Sequence, residues 1–166
     1  DALLSSGYKI ELISLPEGEV AKSFKVVEKI FSQLLQYGCN RSSTFLALGG
    51  GVVGDVTGFI AATFMRGLDY IQIPTTLLAM VDSSIGGKTG INLPDGKNLA
   101  GVFWQPKAVV IDPEVLTSLP DRELTSAMGE VIKYGAIMDR GLFDLIEENI
   151  EYILNNKDQS LITKII

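Results

Sequence analysis

The sequence predicts a doubly wound α/β unit that lacks its first strands and runs into the opening helices of an all-helical unit. Three observations predict it. A short apolar stretch, Thr44 to Leu48, leads through Gly49, Gly50 and Gly51 into helix-spaced apolar positions from Val52 to Met65, the strand, glycine turn and helix order of a crossover between parallel strands. Two further short apolar stretches, Tyr70 to Ile73 and Lys107 to Ile111, are closed by Pro74 and by Asp112-Pro113 and supply more strands of the same sheet. After Pro120 the pattern is helical, with no later strand candidate.

The elements follow in order. Tyr8 to Ser14 alternates apolar and polar residues and reads as a strand, and Pro16 to Glu19 turns into a helix over Lys22 to Tyr37. Phe24, Val27, Ile30, Phe31, Leu34 and Leu35 recur with a period near 3.6 along it, and Gly38 with Asn40 supplies the stop. Thr44 to Leu48 suits a strand buried on both faces. Thr75 to Met80 begins another helix after Pro74. Asp121 to Asp139 and Gly141 to Leu154 complete the helical set, and a domain boundary near Asp112 divides 1–112 from 113–166. The apolar end, Leu161 to Ile166, has no capping glycine or proline after it. It reads as a helix cut short, so the chain is expected to be an internal piece of a longer protein.

Composition narrows the function. With 46% hydrophobic and 20% charged residues among 166, the chain has the make-up of a globular protein with a real core. Fourteen basic against twenty acidic residues give a net charge of −6, with no basic run. That argues against a nucleic-acid partner, while a cleft that gathers the few cations still suits a phosphorylated metabolite. No stretch approaches the roughly 18 apolar residues of a membrane span, and the first ten residues lack a signal pattern. The lone Cys39 forbids an intramolecular disulfide and fits a reducing, cytoplasmic setting, where a thiol of this kind is a small hydrophobe. Histidine is absent, so imidazole chemistry, or the histidines of a zinc site, would have to come from outside this sequence.

Several residues carry chemistry. Gly49, Gly51 and Gly54 form G-x-G-x-x-G between a predicted strand and a predicted helix. In that context the turn lets a pyrophosphate approach backbone N–H groups at a helix N-terminus; the alternative is a tight turn with close helix packing. The acidic residue expected about 20 positions on is poorly matched by Asp69, which precedes a strand, so Asp55 is the better polar handle. Gly87, Lys88 and Thr89 do not make a P-loop, because Asp82 stands where a glycine is required and Gly90 to Pro94 cannot open a helix. The connection from Asp82 to Asn98 nevertheless brings Asp82, Lys88, Lys97 and Asn98 close in sequence, either lining a site or decorating a surface hairpin. Glu130 and Lys133 share one face of a predicted helix flanked by Met128, Val131 and Ile132. They form a surface ion pair or face a cleft.

Together these stretches resemble 3-dehydroquinate synthase of the sugar phosphate cyclase family. The resemblance is densest in LALGGGVVGDVTGFIAATFMRG, IPTTLLAMVDSSIGGKTGINLPDGKNLAGVFWQP and GEVIKYG. It implies a Rossmann-like NAD-binding domain followed by the first helices of a metal- and substrate-binding domain. It also implies conversion of 3-deoxy-D-arabino-heptulosonate 7-phosphate, a phosphorylated keto sugar acid, to 3-dehydroquinate and phosphate in the shikimate pathway. NAD is used and regenerated, with a divalent metal, usually zinc, as Lewis acid. The parent is expected to be a cytoplasmic homodimer without membrane or nucleic-acid partners.

Carried onto this sequence, the resemblance implies that Glu17, Glu19 and Lys22 contact the adenosine portion of NAD. Gly51, Val52, Val53, Gly54 and Asp55 would hold its pyrophosphate and nicotinamide side, with Thr75, Thr76, Lys88, Lys97, Val115, Leu116, Thr117 and Ser118 completing the contacts. Glu130 matches a metal ligand, and Asp82, Lys88, Asn98 and Lys133 line the substrate pocket. Arg66 matches an arginine that reaches the substrate phosphate across the dimer interface. The other metal ligands of the family are histidines of a later helical region, so one carboxylate here cannot hold zinc, and the isolated chain is expected to be inactive. Alternatives are another cyclase such as 2-deoxy-scyllo-inosose synthase, a non-catalytic NAD-binding module, or a metal-dependent alcohol dehydrogenase of the glycerol dehydrogenase type.

Overall fold

The computed structural model describes residues 2–166. A short helix, α1 (Ala2–Ser5), is followed by extended chain, and Tyr8 to Ser14 forms no strand. Tyr8, Ile10 and Leu12 are exposed and only Ile13 and Leu15 reach the core; alternation alone makes no strand where no neighbouring strand accepts its hydrogen bonds.

Helix α2 (Phe24–Gln36) begins two residues later than predicted, because Ser23 is its cap and its hydroxyl accepts the Val26 N–H. Lys22 therefore lies outside the helix. The C-terminus closes as a Schellman turn: Cys39 N–H donates to Leu34 O and Gly38 N–H to Leu35 O, with Gly38 at φ +73°. Val27, Ile30 and Leu34 form the buried stripe, against Val56, Phe59, Ile60 and Phe64 of the next helical segment.

The sheet is parallel, with strand order β1 (Thr44–Gly49), β2 (Asp69–Pro74), β5 (Ala108–Val109). Helix α3 (Gly51–Thr63) makes the crossover from β1 to β2. It ends two residues early, as Met65 and Arg66 take positive φ on the way to β2. The expectation of burial on both faces of β1 fails: Ala47 is buried, but Leu46 and Leu48 on the opposite face are 44% and 64% exposed. The predicted strand over Lys107 to Ile111 shortens to the two residues of β5.

Of two further features, one departs from the sequence expectation, and the other is the hairpin that the sequence offered as one of two readings of its connection. The helix expected over Thr75 to Met80 passes into a π-helical turn, Ala79–Ser83, a rare geometry that collects at functional sites. The connection beyond it is an antiparallel hairpin, β3 (Lys88–Leu93) and β4 (Gly96–Phe103), packed on α3 where Gly58 meets Thr89. Glycines permit that approach, because a Cβ on Gly58 would overlap Thr89 and lie 3.1 Å from the Tyr70 hydroxyl.

A 3₁₀ turn, Pro113–Ser118, capped by Asp112, leads to α4 (Asp121–Ile137), α5 (Arg140–Asn156) and α6 (Gln159–Ile165). Asp139 and Asp158 cap the last two through Leu142 N–H and Leu161 N–H. Leu124, Met128, Val131, Ile146, Ile153 and Ile162 form the core of this part, and Leu77, just ahead of the π turn, and Met80 and Val81, within that turn, are inserted into it. The segment bearing Asp82 is thus clamped between α3 and the helices.

Candidate active site

The site begins at the glycine turn. Gly50 precedes α3 in extended conformation with no side-chain cap, so the first N–H groups of a 13-residue helix face outward with its partial positive charge. A Cβ at Gly50 would sit 3.2 Å from Thr76 Cγ2, one at Gly51 2.8 Å from Ser83 Oγ, and one at Gly54 2.8 Å from Gln72 Oε1. Side chains at these positions would displace the walls of the turn. Ser83 Oγ is buried without a hydrogen-bond partner, a polar atom at the mouth of the turn whose demand a ligand group can meet. Thr75 N–H is bonded to Gly49 O at 2.9 Å and Thr76 Oγ1 accepts from Ala79 N–H at 3.2 Å, so these two threonines are fixed beside it.

Behind the turn lies a buried cation. Lys22 is 4% exposed, its Nζ 2.6 Å from Asp55 Oδ2 and also donating to Asn98 Oδ1. Burial pushes the Asp55 carboxyl above its ordinary 3.8, outweighing the Lys22 hydrogen bond and charge that pull it down, with Glu19 and Asp82 adding upward pressure. Lys22, Asp55 and Asn98 come from three separate segments; Asp55 and Asn98, held from behind by Lys22, line a cleft of about 500 Å³ together with Asp82, Ser83, Lys88 and Thr89, among others. The hairpin thus does not merely decorate the surface: it carries Lys88 and Asn98 into the cleft lining.

On the helical side, Tyr134 Oη donates to Asp82 Oδ1 at 3.1 Å. Glu130 and Lys133 are ion-paired one turn apart on α4, Lys133 lying 4.5 Å from the Tyr134 ring centroid. Their side chains are 24% and 46% exposed, neither deep in the core nor fully solvated. The donor set present does not make a metal site by itself. Glu130 is a single carboxylate already held by Lys133, and among the described residues no group of three His, Cys, Asp or Glu side chains is placed to share an ion.

Residues 12–126 match the family model for the N-terminal part of 3-dehydroquinate synthase. The chain belongs to the 3-dehydroquinate synthase family. It is 52% identical to the 3-dehydroquinate synthase of Geobacter metallireducens over 166 residues, all of this chain and 46% of that protein. It is 56% identical to that of Dictyoglomus thermophilum over 155 residues, 93% of this chain and 43% of the relative. The chain therefore spans somewhat less than half the length of these 3-dehydroquinate synthases. Among solved structures it resembles 2-epi-5-epi-valiolone synthase from Streptomyces hygroscopicus with NAD+ and Zn2+ bound, at TM-score 0.86 and 31% identity over 91% of this chain and 42% of that one. A 2-deoxy-scyllo-inosose synthase with carbaglucose-6-phosphate, NAD+ and Co2+ follows at TM-score 0.67 and 36% identity, over 70% and 32%. An iron-containing alcohol dehydrogenase, at TM-score 0.74 and 16% identity over 98% of this chain and 51% of that one, shares the fold.

Within this family member not every residue implied by the resemblance meets the cleft. Glu17 and Glu19 lie at the 3₁₀ turn ahead of Lys22, with Glu19 Oε2 accepting from Asn92 Nδ2. Val52 and Val53 are partly buried in the first turn of α3. Lys97 is exposed beside Asn98. Leu116 is fully buried in the helical core, so its side chain is committed to packing. Thr117 and Ser118 hydroxyls donate back to Glu114 and Val115 carbonyls, and the remaining lone pairs are what that turn offers a ligand. Arg66 is exposed at φ +71° and lies outside the cleft lining. Asp69 pairs with Lys107 at 3.4 Å on the surface. Sequence reading missed Ser83, Asn92 and Tyr134; all three stand inside the stretches that carry the family resemblance, but no spacing singles them out.

Proposed function

We propose that this chain is the nucleotide-binding portion of a 3-dehydroquinate synthase, an NAD-dependent lyase that converts 3-deoxy-D-arabino-heptulosonate 7-phosphate to 3-dehydroquinate and phosphate. The observation that carries the proposal is a coincidence of place. The family match runs through the glycine turn, the buried Lys22 and the hairpin, and these segments converge on one cleft: Asp55 next to the turn, Ser83 against Gly51 and Asn98 of the hairpin line it, and Lys22 binds Asp55 and Asn98 from behind. The glycine cradle, the open helix N-terminus and the orphan Ser83 hydroxyl suit a dinucleotide pyrophosphate. NAD, when bound, supplies reversible oxidation of a substrate hydroxyl.

The chain's own residues bind and orient. Gly51 and Val52 present backbone N–H groups, those of Val53 and Gly54 being bonded to Gly50 O, Thr75 and Thr76 fix the floor, and Lys22 holds Asp55 and Asn98 at the wall. Lys88, Asn98 and Lys133 offer donors for the carboxylate and hydroxyls of a sugar acid, and Asp82, held by Tyr134, offers an acceptor. Glu130 is the one metal ligand of this chain on the same reading, and the remaining ligands belong to sequence outside it. The parent acts as a cytoplasmic homodimer in which Arg66 serves the partner's substrate phosphate. At −6 net charge and with no helix of the described residues long and apolar enough to cross a membrane, a small metabolite is the partner favoured.

The complete coding sequence, expressed and supplied with NAD, a divalent metal and the seven-carbon substrate, should release phosphate and dehydroquinate in equal amounts without net accumulation of NADH. Accumulating NADH would favour a dehydrogenase of the iron-containing type instead. No product from this substrate, with turnover of a hexose phosphate, would favour another cyclase.

A further inference from the structure

Asn92 is absent from every role assigned above, yet its side chain makes two hydrogen bonds just behind the cleft, one to Glu19 and one to Asn98, which lines it. It sits at an irregularity of the hairpin: Ile91 pairs with Ala100 and Leu93 with Gly96, so Asn92 alone faces the stretch Lys97 to Leu99. Bulges of this kind re-aim side chains beside sites. Asn92 backbone N–H donates to Lys22 O at 2.9 Å, its Nδ2 donates to Glu19 Oε2 at 2.7 Å, and its Oδ1 accepts from Asn98 N–H at 2.8 Å. The amide orientation is fixed by its partners, since a carboxylate only accepts and a backbone N–H only donates.

Asn98 needs this support. Its φ is +57°, a left-handed conformation outside the strand range, and its side chain is held from the other side by Lys22. One amide therefore joins the turn bearing Glu19 and Lys22 to the residue that presents its carboxamide to the cleft.

We propose that Asn92 is a positioning residue that couples the nucleotide-side turn, Glu19 to Lys22, to Asn98 on the substrate side of the cleft. The inference rests on the NAD-binding reading above. It separates the two halves of one side chain: the Nδ2 arm serves the cofactor side and the Oδ1 arm serves Asn98.

The test is made on the protein expressed from its complete coding sequence, with NAD affinity and kcat measured for Asn92→Asp and Asn92→Ala. Asn92→Asp keeps the acceptor for Asn98 but sets a carboxylate against Glu19. NAD affinity should fall about tenfold near neutral pH, the scale of a hydrogen bond lost at a charged group, while kcat at saturating NAD is retained. The affinity should return as pH falls into the carboxylate range, where a shared proton restores a donor. Asn92→Ala should lose both NAD affinity and kcat. Should that variant fail to fold, the near-isosteric aspartate carries the test through its split and its pH profile. Equal loss of kcat and affinity in Asn92→Asp, absence of the pH recovery, or wild-type values in both variants would overturn the inference while leaving the NAD-binding reading intact. Wild-type protein that does not bind NAD would overturn both.

Discussion

Replacing Lys22 by methionine removes the cation that Asp55 is built around. The Nζ lies 2.6 Å from Asp55 Oδ2, the lysine side chain is 4% exposed and the aspartate 22%. Breaking a fully buried pair by deleting one partner costs about 3–5 kcal/mol, because the other charge is left without compensation. Asp55 keeps some access to water, which brings the expected loss for Lys22→Met to about 2–3 kcal/mol at neutral pH. The pH dependence follows from the direction of the Asp55 shift. Its folded carboxyl already titrates above 3.8, and without Lys22 both lowering influences disappear, so it rises further. Between 3.8 and that raised value the folded state binds the proton and the unfolded state does not. This contribution to stability is therefore present at low pH and lost as pH rises through the folded value. Urea unfolding of Lys22→Met should show the deficit at neutral pH and shrink as pH is lowered, and adding Asp55→Asn should recover part of it at neutral pH. A deficit independent of pH, with no recovery in the double variant, would refute the account of a buried pair.

Two further substitutions probe the walls of the site. Gly54→Ala places a Cβ 2.8 Å from Gln72 Oε1, a residue 4% exposed whose Nε2 is bonded to Tyr70. Overpacking of this kind costs about 1–3 kcal/mol, so the urea midpoint should drop and NAD affinity should fall with it. Tyr134→Phe deletes the phenol that donates to Asp82 across the join between the π turn and α4. It should lower stability by about 1 kcal/mol, read by thermal unfolding, with NAD affinity nearly unchanged because Asp82 retains its place in the backbone.

The glycine turn and the helices were legible because their signals are local. Gly49 to Gly54 follow a strand and open a helix, and α2 announces itself through a periodic stripe and the stop at Gly38, although its start was set two residues early because the Ser23 cap went unread. The hairpin was harder to read, since Gly90 and Gly101 interrupt the alternation and Asn92 breaks the register. Their reason lies across the chain: a Cβ at Gly101 would overlap Thr89 O. The π turn has no compositional mark; it follows from Leu77, Met80 and Val81 being drawn into a core built by residues beyond Leu116. Tyr8 to Ser14 misled because alternation records which faces differ and not whether a neighbouring strand exists. At the site, Lys22 and Asp55 were candidates singly. Their contact joins positions 33 residues apart, and no spacing rule reports it.

The central claim is that the turn at Gly51 to Asp55 receives a dinucleotide. Backbone amide shifts of the isotopically labelled protein, followed while NAD is titrated in, test it most directly. The account predicts saturable changes at Gly50, Gly51, Gly54 and Asp55, extending to Thr76 and Lys22. Changes confined to the separate cleft of about 450 Å³ between Gly135 and Phe143, or none that saturate, would contradict it.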